Sequence, residues 1–345
     1  MIYQINPLRD RRWESFVQSH PDSSIFHSTG WLKALCQTYS YEAVVYTTCP
    51  PGADLANGLV LCRVTSCLTG DRLVSLPFSD HCDLLVEEGS KGLDVYDELR
   101  EDCERRNLKA IELRPRNGFS DPPSGLTHYK TYCFHSLDLR RDEKALFSAF
   151  HKDCIQRKIQ RAEREHLTYR VGCSNELLDL FYGLFVRSRR RQGIPPPPFR
   201  WFQNLAGCLG QAMQIRTALY GNRPVASTVT LKFRNTLVYK YGCSDPQLNK
   251  LGGIPWLFWK TIQEARSLGL QELDLGRSDW NNPGLITFKD RLGAKRSSLN
   301  YWQYSKKASL PHRFDALRRP GEWIFGHSPL PVLIVAGRVL YRHFG

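Results

Sequence analysis

The alternation of hydrophobic and polar positions predicts the same order of elements twice along the chain. Residues 94–106 carry an apolar side chain at every third or fourth position, which is typical of an amphipathic helix, and the apolar run 108–115 that follows predicts a buried strand. Residues 255–268 repeat the helical spacing, and Gly269 ends that helix before a second buried strand at 270–277. The two strands align at an offset of 162 positions.

Each helix is preceded by a predicted hairpin and each strand is followed by one further strand. The first hairpin joins NGLVLCRV to RLVSLPF, and the second joins RPVASTVTLKF to TLVYKYG. The closing strands are expected near 129–139 in the first half and 299–305 in the second. This order predicts an α/β (α+β) protein with two tandem domains, each a mixed β-sheet flanked by helices.

The boundaries follow from the segments that break this pattern. Residues 151–166 and 176–190 read as basic helices, and the stretch 193–198 (GIPPPP) is typical of a stiff extended loop. After residue 306 the composition changes to Pro, Arg and His mixed with a short apolar run. We therefore predict a first domain at 1–150, a basic helical connector with the second domain at 151–306, and a basic, amphipathic C-terminal tail at 307–345.

Composition narrows the class of protein. The chain has 345 residues, 41% of them hydrophobic and 24% charged, which is typical of globular proteins of about two domains. No apolar run is long enough to span a membrane, and the first residues lack the apolar core of a signal peptide, so we expect a cytoplasmic protein. The 11 cysteines are spread singly without CxxC or Cys/His pairs, so neither a metal site nor a disulfide framework is predicted.

The net charge of +14 is distributed unevenly. Residues 1–150 carry 17 basic and 21 acidic side chains, whereas residues 151–345 carry 31 and 13. The second part is therefore strongly basic, which indicates an anionic partner such as nucleic acid, a membrane surface or a phosphorylated small molecule. A basic, solvated surface that serves only solubility is the alternative interpretation.

Two short motifs in the second half are candidates for binding an acyl donor. Gly252 and Gly253 open the second predicted helix, where a backbone without Cβ atoms and a helix N-terminus can accept a phosphate. Phe288 and Lys289 lie close to the last predicted strands, and a lysine there can stabilise a developing oxyanion. Tight packing of the turn and an exposed surface lysine are the structural alternatives.

Further candidates lie at or near strand ends. Asp80 follows a hairpin strand and can orient or deprotonate an amine, although aspartate also caps turns. Tyr239 and Tyr241, two positions apart, are expected on one face of a strand, lining a groove or packing in the core. Asp274 and Arg277 end the strand after the second helix, a common binding position in α/β sheets.

The sequence lacks the characteristic motifs of several large enzyme classes. The chain has no Walker A motif, no GxGxxG fingerprint, no GxSxG elbow and no HExxH pair. Nucleotide hydrolysis, dinucleotide redox chemistry, serine esterase activity and zinc proteolysis are therefore not predicted.

Taken in order, the motifs resemble those of the FemAB-like proteins of the GNAT acyltransferase superfamily. The resemblance extends from residue 26 to about residue 305. Its pieces are FHSTGWL (26–32), LPFSDHCDL (76–84), RKIQRAEREHLTYRV (157–171), FYGLFVRSRRRQGIPPPP (181–198), LVYKYGCSD (237–245), GGIPWLFWKTIQEARSLG (252–269), LDLGRS (273–278) and FKDRLGA (288–294).

The resemblance implies tandem GNAT-like domains and roles for individual residues. It places a group of five side chains around an acceptor cleft, namely Lys33, Asp80, Arg191, Tyr239 and Tyr241. Within this group, Lys33 and Arg191 would contact phosphates. Lys289, with Phe288, would stabilise the reacting carbonyl of the donor, while Asp80 would orient the acceptor amine.

Fem-type enzymes transfer an amino acid from an aminoacyl-tRNA to an amine of a peptidoglycan precursor, and relatives are acyl-CoA-dependent N-acyltransferases. Here the long helical arm of some peptidoglycan-bridge enzymes is missing, and Gly252-Gly253 replaces the longer pyrophosphate loop of acetyl-CoA users. The resemblance thus implies transfer to an amine of a cell-envelope or exopolysaccharide precursor, or to a small amine or amino sugar, or else a non-catalytic relative that binds RNA or membrane. No tightly bound cofactor is expected, and the donor remains aminoacyl-tRNA or acyl-CoA. Expected partners are a phosphorylated or lipid-linked acceptor, tRNA, and an anionic membrane surface at the inner face of the cytoplasmic membrane, contacted by residues 327–345.

Overall fold

A computed structural model describes residues 2–87, 94–119, 121–305 and 323–343 of the chain. These residues divide into two units, each containing segments from distant parts of the sequence. Unit 1 holds the described residues up to 131 together with 299–305 and 339–343. Unit 2 holds 132–298 and 323–338. Residues 307–322 of the predicted tail lie outside the described part of the chain.

Unit 1 is built on a mixed sheet. Its elements are β1 (Tyr3–Ile5), α1 (Arg11–Ser19), α2 (Thr29–Tyr39), β2 (Glu42–Thr47), β3 (Asn57–Val64), β4 (Arg72–Ser75), β5 (Leu85–Val86), α3 (Asp94–Arg105), β6 (Ala110–Leu113) and the start of β7 (Thr127–Asp138). Strands β1 to β4 pair antiparallel in chain order, and β6 then pairs parallel to β4. The core forms where α3 lays its apolar face, which includes Val95, Leu99 and Cys103, on the strands.

Unit 2 repeats this plan with longer elements. They are α4 (Glu143–Ala149), α5 (Arg157–Arg164), β8 (Thr168–Gly172), α6 (Asn175–Arg191), α7 (Phe199–Leu209), β9 (Met213–Tyr220), β10 (Arg223–Phe233), β11 (Thr236–Ser244), α8 (Gly253–Ser267), β12 (Glu272–Ser278), α9 (Pro283–Arg291) and β13 (Lys295–Ser305). Strands β8 to β11 pair antiparallel in chain order, and β12 pairs parallel to β11. Helices α5 and α8 pack over one face of these strands. The predicted α/β architecture, in which each unit has mixed β-strands flanked by helices, is confirmed.

The closing strands differ from the prediction that each half supplies its own. Residues 133–138 of β7, from the first half of the sequence, pair antiparallel with β12 in unit 2. Residues 302–305 of β13, from the second half, pair antiparallel with β6 in unit 1. The units consequently divide near residues 131 and 299 rather than at 150 and 306. Strand periodicity gives the order and the inward face of a strand but not its neighbour in the sheet, so the sequence could not reveal this exchange.

The parallel pairs also show that the repeat does not keep one offset throughout. Arg72 pairs with Ala110, 38 positions on, whereas Thr236 pairs with Glu272, 36 positions on. The offset between the two halves therefore changes by two residues between the second hairpin strand and the strand that follows the helix. An even slip keeps every side chain on its original face, so the pattern of the two halves still matches.

The described part of the tail folds as a helix. Residues Leu330–Leu340 form α10, and Tyr341–His343 complete it as a 3₁₀ turn. Among the described residues, no helix is both long enough and apolar enough to cross a membrane.

A buried histidine in unit 1 makes stability depend on pH. The backbone N–H of Ser24 donates to Nδ1 of His27 (3.0 Å), so Nε2 carries the proton and donates to the carbonyl of Asp83 (3.0 Å). Burial lowers the pKa of His27 to about 4, so the ring is neutral in the folded protein. The thiol of Cys82 lies 3.4 Å from Nε2, but burial raises its pKa well above the usual range, which excludes a nucleophilic thiolate at neutral pH.

We expect the free energy of unfolding to fall as the pH is lowered from about 6.5 to about 4. In that window the unfolded chain binds a proton at His27 that the folded protein does not, so stability is complete above the unfolded pKa and decreases below it. A pKa of about 4 in the folded protein, against about 6.5 in the unfolded chain, corresponds to about 3 kcal/mol of stability. Urea unfolding at pH 7.5, 6 and 5 should show this decrease in the wild-type protein and a shallower one in His27→Gln. Equal slopes in the two proteins would contradict the assignment.

Candidate functional site

The site predicted in the second half centres on the place where β11 and β12 stop pairing. The two parallel strands are in register for only three residues, from Thr236↔Glu272 to Val238↔Asp274. Both strands continue, β11 to Ser244 and β12 to Ser278, and each has an irregularity just beyond the last pair. Parallel neighbours that part in this way leave an opening at the carboxyl ends of the strands, where α/β sheets bind ligands.

In β12 the irregularity is held by two predicted site residues. The register with β7 shifts between Asp274 and Arg277, and Gly276 has a left-handed φ of +69° that favours glycine. Oδ1 of Asp274 accepts a hydrogen bond from the N–H of Gly276 (2.7 Å), while Nζ of Lys289 donates to its carbonyl (2.9 Å) and more weakly to that of Arg277 (3.3 Å). Asp274 is fully buried and Lys289 is 2% exposed. The two side chains therefore fix the N–H and the carbonyl of Gly276. We call this arrangement of Asp274, Gly276 and Lys289 the brace.

An aromatic cluster lies beside this brace. The ring centroid of Phe258 on α8 is 4.8 Å from that of Tyr239 and 5.5 Å from that of Phe288. Burial raises the pKa of Tyr239, so its phenol stays protonated at neutral pH. The structure thus brings Tyr239 and Phe288 together through Phe258, and places Lys289 next to Phe288 in the chain. A buried ammonium beside an apolar cluster has a strong local field, because little water is present to screen it.

The structure contradicts the expectation that Tyr239 and Tyr241 share one face of their strand. Val229 pairs with Tyr241 and Thr230 pairs with Tyr239, so Lys240 is bulged out of the ladder. Because neighbouring residues of β10 point to opposite faces, the two tyrosines do too. Tyr241 accordingly packs on Phe185 and Phe202, and its hydroxyl accepts a hydrogen bond from the indole N–H of Trp201 (2.9 Å). Tyr241 therefore packs against helices α6 and α7.

The glycine pair at the start of α8 has a packing role. Gly252 has a φ of +79°, and a Cβ on it would lie 2.2 Å from the carbonyl oxygen of Lys158 in α5. A Cβ on Gly253 would lie 2.8 Å from Cγ1 of Val225 on β10. Both glycines are buried. The predicted approach of a phosphate to these Cα atoms is therefore blocked, since α5 and β10 already occupy that space.

The predicted basic residues have three different environments. Lys33 is exposed on α2, and Arg191 is exposed at the end of α6, where its Nη2 donates to Oγ of Ser188 (3.2 Å) and lies 3.4 Å from the carbonyl of Ser244. Arg277 stacks on the ring of Tyr132, with Cζ 4.3 Å from the centroid. Lys33 and Arg191 are therefore accessible to an anion.

Asp80 lies in unit 1 on the loop that follows β4. It is 9% exposed, and its backbone carbonyl accepts a hydrogen bond from the hydroxyl of Tyr301 (2.6 Å). Arg114 holds the same loop, because its Nη1 donates to the carbonyls of Leu76 (2.5 Å) and Ser79 (3.2 Å) and its guanidinium lies over the ring of Tyr301. The loop that carries Asp80 is thus fixed from both sides.

A buried ion pair supports this arrangement. Nε of Arg114 donates to Oε1 of Glu112 at 2.7 Å. Burial alone would raise the pKa of Glu112, but the adjacent guanidinium of Arg114 holds it below its usual value. Arg114 and Tyr301 are not among the candidates that the sequence pattern predicts. The only signal for Arg114 is a charge at the end of an apolar strand, and nothing in the sequence connects Tyr301 with residue 80.

Within the described residues, no group of three or more His, Cys, Asp or Glu side chains is arranged to hold a metal ion. The chemistry available at the brace is that of a fixed positive charge next to an opening in the sheet, which can stabilise an oxyanion.

The chain is similar to one protein-family model and to several solved structures. A model of the acetyltransferase (GNAT) domain matches residues 150–289. No curated protein sequence matches the chain. Among solved structures, FemX is 13% identical with a TM-score of 0.67, and the match covers 93% of this chain and all of FemX. A tandem GNAT protein from the clavulanic acid biosynthesis pathway is 12% identical with a TM-score of 0.55, covering 90% of this chain and 99% of its own.

A third similar structure is the C-terminal domain of a protein from Agrobacterium fabrum that is assigned as a lysylphosphatidylglycerol synthetase. It is 13% identical with a TM-score of 0.55, and the match covers 91% of this chain and 95% of that domain. At such identities these structures establish the fold, which is that of two GNAT units in one chain. The family match shows that residues 150–289 are similar to a GNAT domain, and the solved structures show that the chain has a FemX-like fold.

Proposed function

We propose that this protein is an acyltransferase and that it transfers an aminoacyl or acyl group to an amine of a phosphorylated cell-envelope or exopolysaccharide precursor. The observation that carries the proposal is the buried ammonium of Lys289 at the opening between β11 and β12, bonded to the carbonyl of Gly276. A positive charge at this place suits a reaction in which a carbonyl oxygen becomes negative, as in acyl transfer.

The proposed reaction is direct transfer without an acyl-enzyme. The acceptor amine attacks the carbonyl carbon of the donor ester or thioester, so a C–N bond forms as the C–O or C–S bond breaks. The hydroxyl of tRNA or the thiol of CoA leaves and takes up the proton that the amine loses. Lys289 stabilises the oxyanion, and Phe288 and Tyr239 form an apolar wall beside it. The brace by Asp274 keeps the strand in position, so that the charge needs no reorganisation during the reaction. For Asp80, whose loop in unit 1 is fixed by Arg114 and Tyr301, the resemblance to FemAB-like proteins implies a role in orienting the amine or accepting its proton.

The charge of the chain supports a phosphorylated acceptor. Residues 151–345 carry 31 basic against 13 acidic side chains, and Lys33 and Arg191 are exposed. Anionic groups are attracted to such a surface, and arginine binds phosphate through two parallel hydrogen bonds. The similarity in fold to FemX and to a lysylphosphatidylglycerol synthetase domain supports a donor carried by tRNA and an acceptor linked to lipid.

A donor comparison tests the proposal. The purified protein should be incubated with lipid-linked and nucleotide-linked envelope precursors that carry a free amine, and with either radiolabelled aminoacyl-tRNA or radiolabelled acyl-CoA. We expect label to enter a precursor from at least one donor.

We expect Arg191→Gln to raise the KM for the precursor about tenfold, because a charged hydrogen bond to phosphate is lost. Label transfer to amines without phosphate at the same efficiency would contradict the proposed acceptor.

A second candidate is acyl-CoA-dependent acylation of a small amine or amino sugar. It is supported by the match of residues 150–289 to the acetyltransferase model and by the fold shared with a tandem GNAT protein. The same experiment separates the two. Transfer from acyl-CoA to glucosamine or polyamines, with no dependence on Arg191, favours the second candidate.

A further inference from the structure

The outer face of helix α10 carries a row of exposed aliphatic side chains. Val332, Val335 and Val339 are 54%, 60% and 54% exposed, and their spacing of three and four residues puts them on one side of the helix. Trp323 and Ile324, in the helical turn 323–327 that precedes α10, are also exposed. Scattered exposed apolar residues are ordinary in globular proteins, but a row of three on one face of a helix, with two more shortly before it in the chain, is typical of an interaction surface. We call this row of valines the patch.

The patch cannot turn inward, because the opposite side of the helix is already packed. Leu333 is fully buried. Gly337 approaches the loop 193–198 so closely that a Cβ on it would lie 2.0 Å from the carbonyl oxygen of Pro196. The three valines therefore face outward because the helix is docked on its other side.

The end of the helix is fixed as well. Oγ of Ser66 lies 2.9 Å from Nδ1 of His343, and Nη2 of Arg72 donates to the carbonyl of His343 (3.0 Å). The hydroxyl of Tyr41 donates to the carbonyl of Arg342 (3.0 Å). These contacts hold the 3₁₀ turn that follows α10, so the direction of the outer face is determined by the fold.

The charges near the patch indicate its partner. Residues 323–343 contain no acidic residue, and Arg338 and Arg342 are exposed beside the valines. A second copy of the chain would bring the same arginines against each other, which disfavours a symmetric dimer. An apolar row with flanking arginines and an exposed tryptophan instead suits the boundary between head groups and acyl chains of an anionic bilayer.

We propose that the outer face of α10 docks this protein on anionic lipid membranes, with Val332, Val335 and Val339 inserted at the interface and Arg338 and Arg342 contacting lipid phosphates. The helix lies in the plane of the membrane, since its 11 residues are too few to cross it. This docking requires neither donor nor acceptor, so it stands or falls independently of the proposed reaction.

Vesicle binding by the full chain tests the proposal. Co-sedimentation should be measured with phosphatidylcholine vesicles and with vesicles containing 30% phosphatidylglycerol (about one lipid in three, as a strongly anionic surface). We expect binding to the anionic vesicles only. The triple variant Val332→Gln, Val335→Gln, Val339→Gln should lose at least about tenfold in affinity, because apolar burial drives interfacial insertion. Arg338→Gln with Arg342→Gln should lose about 25-fold, at about fivefold for each charge.

The matched control replaces exposed apolar residues elsewhere. Val171 and Leu268 are 44% and 62% exposed and lie outside the tail, so the double variant Val171→Gln, Leu268→Gln should bind anionic vesicles like the wild-type protein. Equal binding by the triple variant and the wild-type protein would overturn the proposal, as would absence of binding to anionic vesicles. Conversion of a dimer to a monomer by the triple variant, measured by analytical ultracentrifugation, would also overturn it by assigning the face to a second copy. Thermal melting shows whether each variant is still folded. The arginine variant leaves the valines in place, so it tests membrane binding without changing the apolar residues.

Discussion

Replacement of Lys289 by methionine is expected to lower turnover by about 10²–10³-fold while leaving the KM for the acceptor within a few-fold of the wild-type value. Removal of one preorganised donor to an oxyanion has effects of this size. Methionine keeps the length of the side chain but removes the ammonium that bonds to the carbonyl of Gly276. Initial rates with saturating donor and varied acceptor give the two parameters separately.

The control for this variant addresses the structural part of the brace. In Asp274→Asn, the amide oxygen still accepts the hydrogen bond from the N–H of Gly276, so the brace keeps its geometry while one buried charge is removed. If Lys289 acts on the reacting carbonyl, Lys289→Met loses much more turnover than Asp274→Asn at similar melting temperatures. Unchanged turnover in Lys289→Met would refute the assignment, and equal losses in both variants would show that Lys289 only positions the strand.

Replacement of Gly252 by alanine is expected to destabilise the protein by about 3 kcal/mol. The new Cβ would overlap the carbonyl oxygen of Lys158, and alanine is also strained at a φ of +79°. The backbone of Lys158 lies on one side of Gly252 and the start of α8 on the other, so neither can move far enough to relieve the overlap. Urea unfolding should show a lower midpoint with an unchanged dependence on denaturant, as expected for a loss of stability alone.

Gly269 offers a matched control for this overlap. It ends α8 with a similar φ of +73°, but no atom lies within 4 Å of the position that its Cβ would take. Gly269→Ala therefore reports the backbone strain alone, about 1 kcal/mol. The difference between the two variants measures the contact with α5. A stable Gly252→Ala protein with impaired donor binding would contradict the packing role and restore the phosphate interpretation.

The periodic elements were predictable because their signal is local. The helical spacing at 94–106 and 255–268 corresponds to α3 and α8, and the apolar runs that follow correspond to β6 and β12. In each case the sequence shows which side chains must leave water, and a mixed sheet with a crossover helix buries them. The resemblance to FemAB-like proteins rests on such segments in a fixed order, and the model of a GNAT domain that matches residues 150–289 agrees with it over that part of the chain.

The candidate site was predictable only in part. Asp274, Phe288 and Lys289 were selected as single residues, but nothing local shows that two of them hold the same glycine. Regular alternation along a strand predicts that Tyr239 and Tyr241 share one face. One bulged residue, Lys240, reverses that relation, and a bulge has no reliable signal in a single sequence.

Local patterns in the sequence indicate the duplicated order of elements, the basic second half and a resemblance to GNAT-like proteins, because hydrophobic periodicity, charge and motif order are properties of neighbouring residues. The strand that pairs last in each unit, the atoms that the glycines at 252 and 253 contact, and the exposed side of α10 depend on tertiary packing. These features depend on contacts between residues far apart in the chain, such as Gly252 with Lys158 or His343 with Ser66. Such contacts are selected by packing of the whole fold, and no local pattern encodes them.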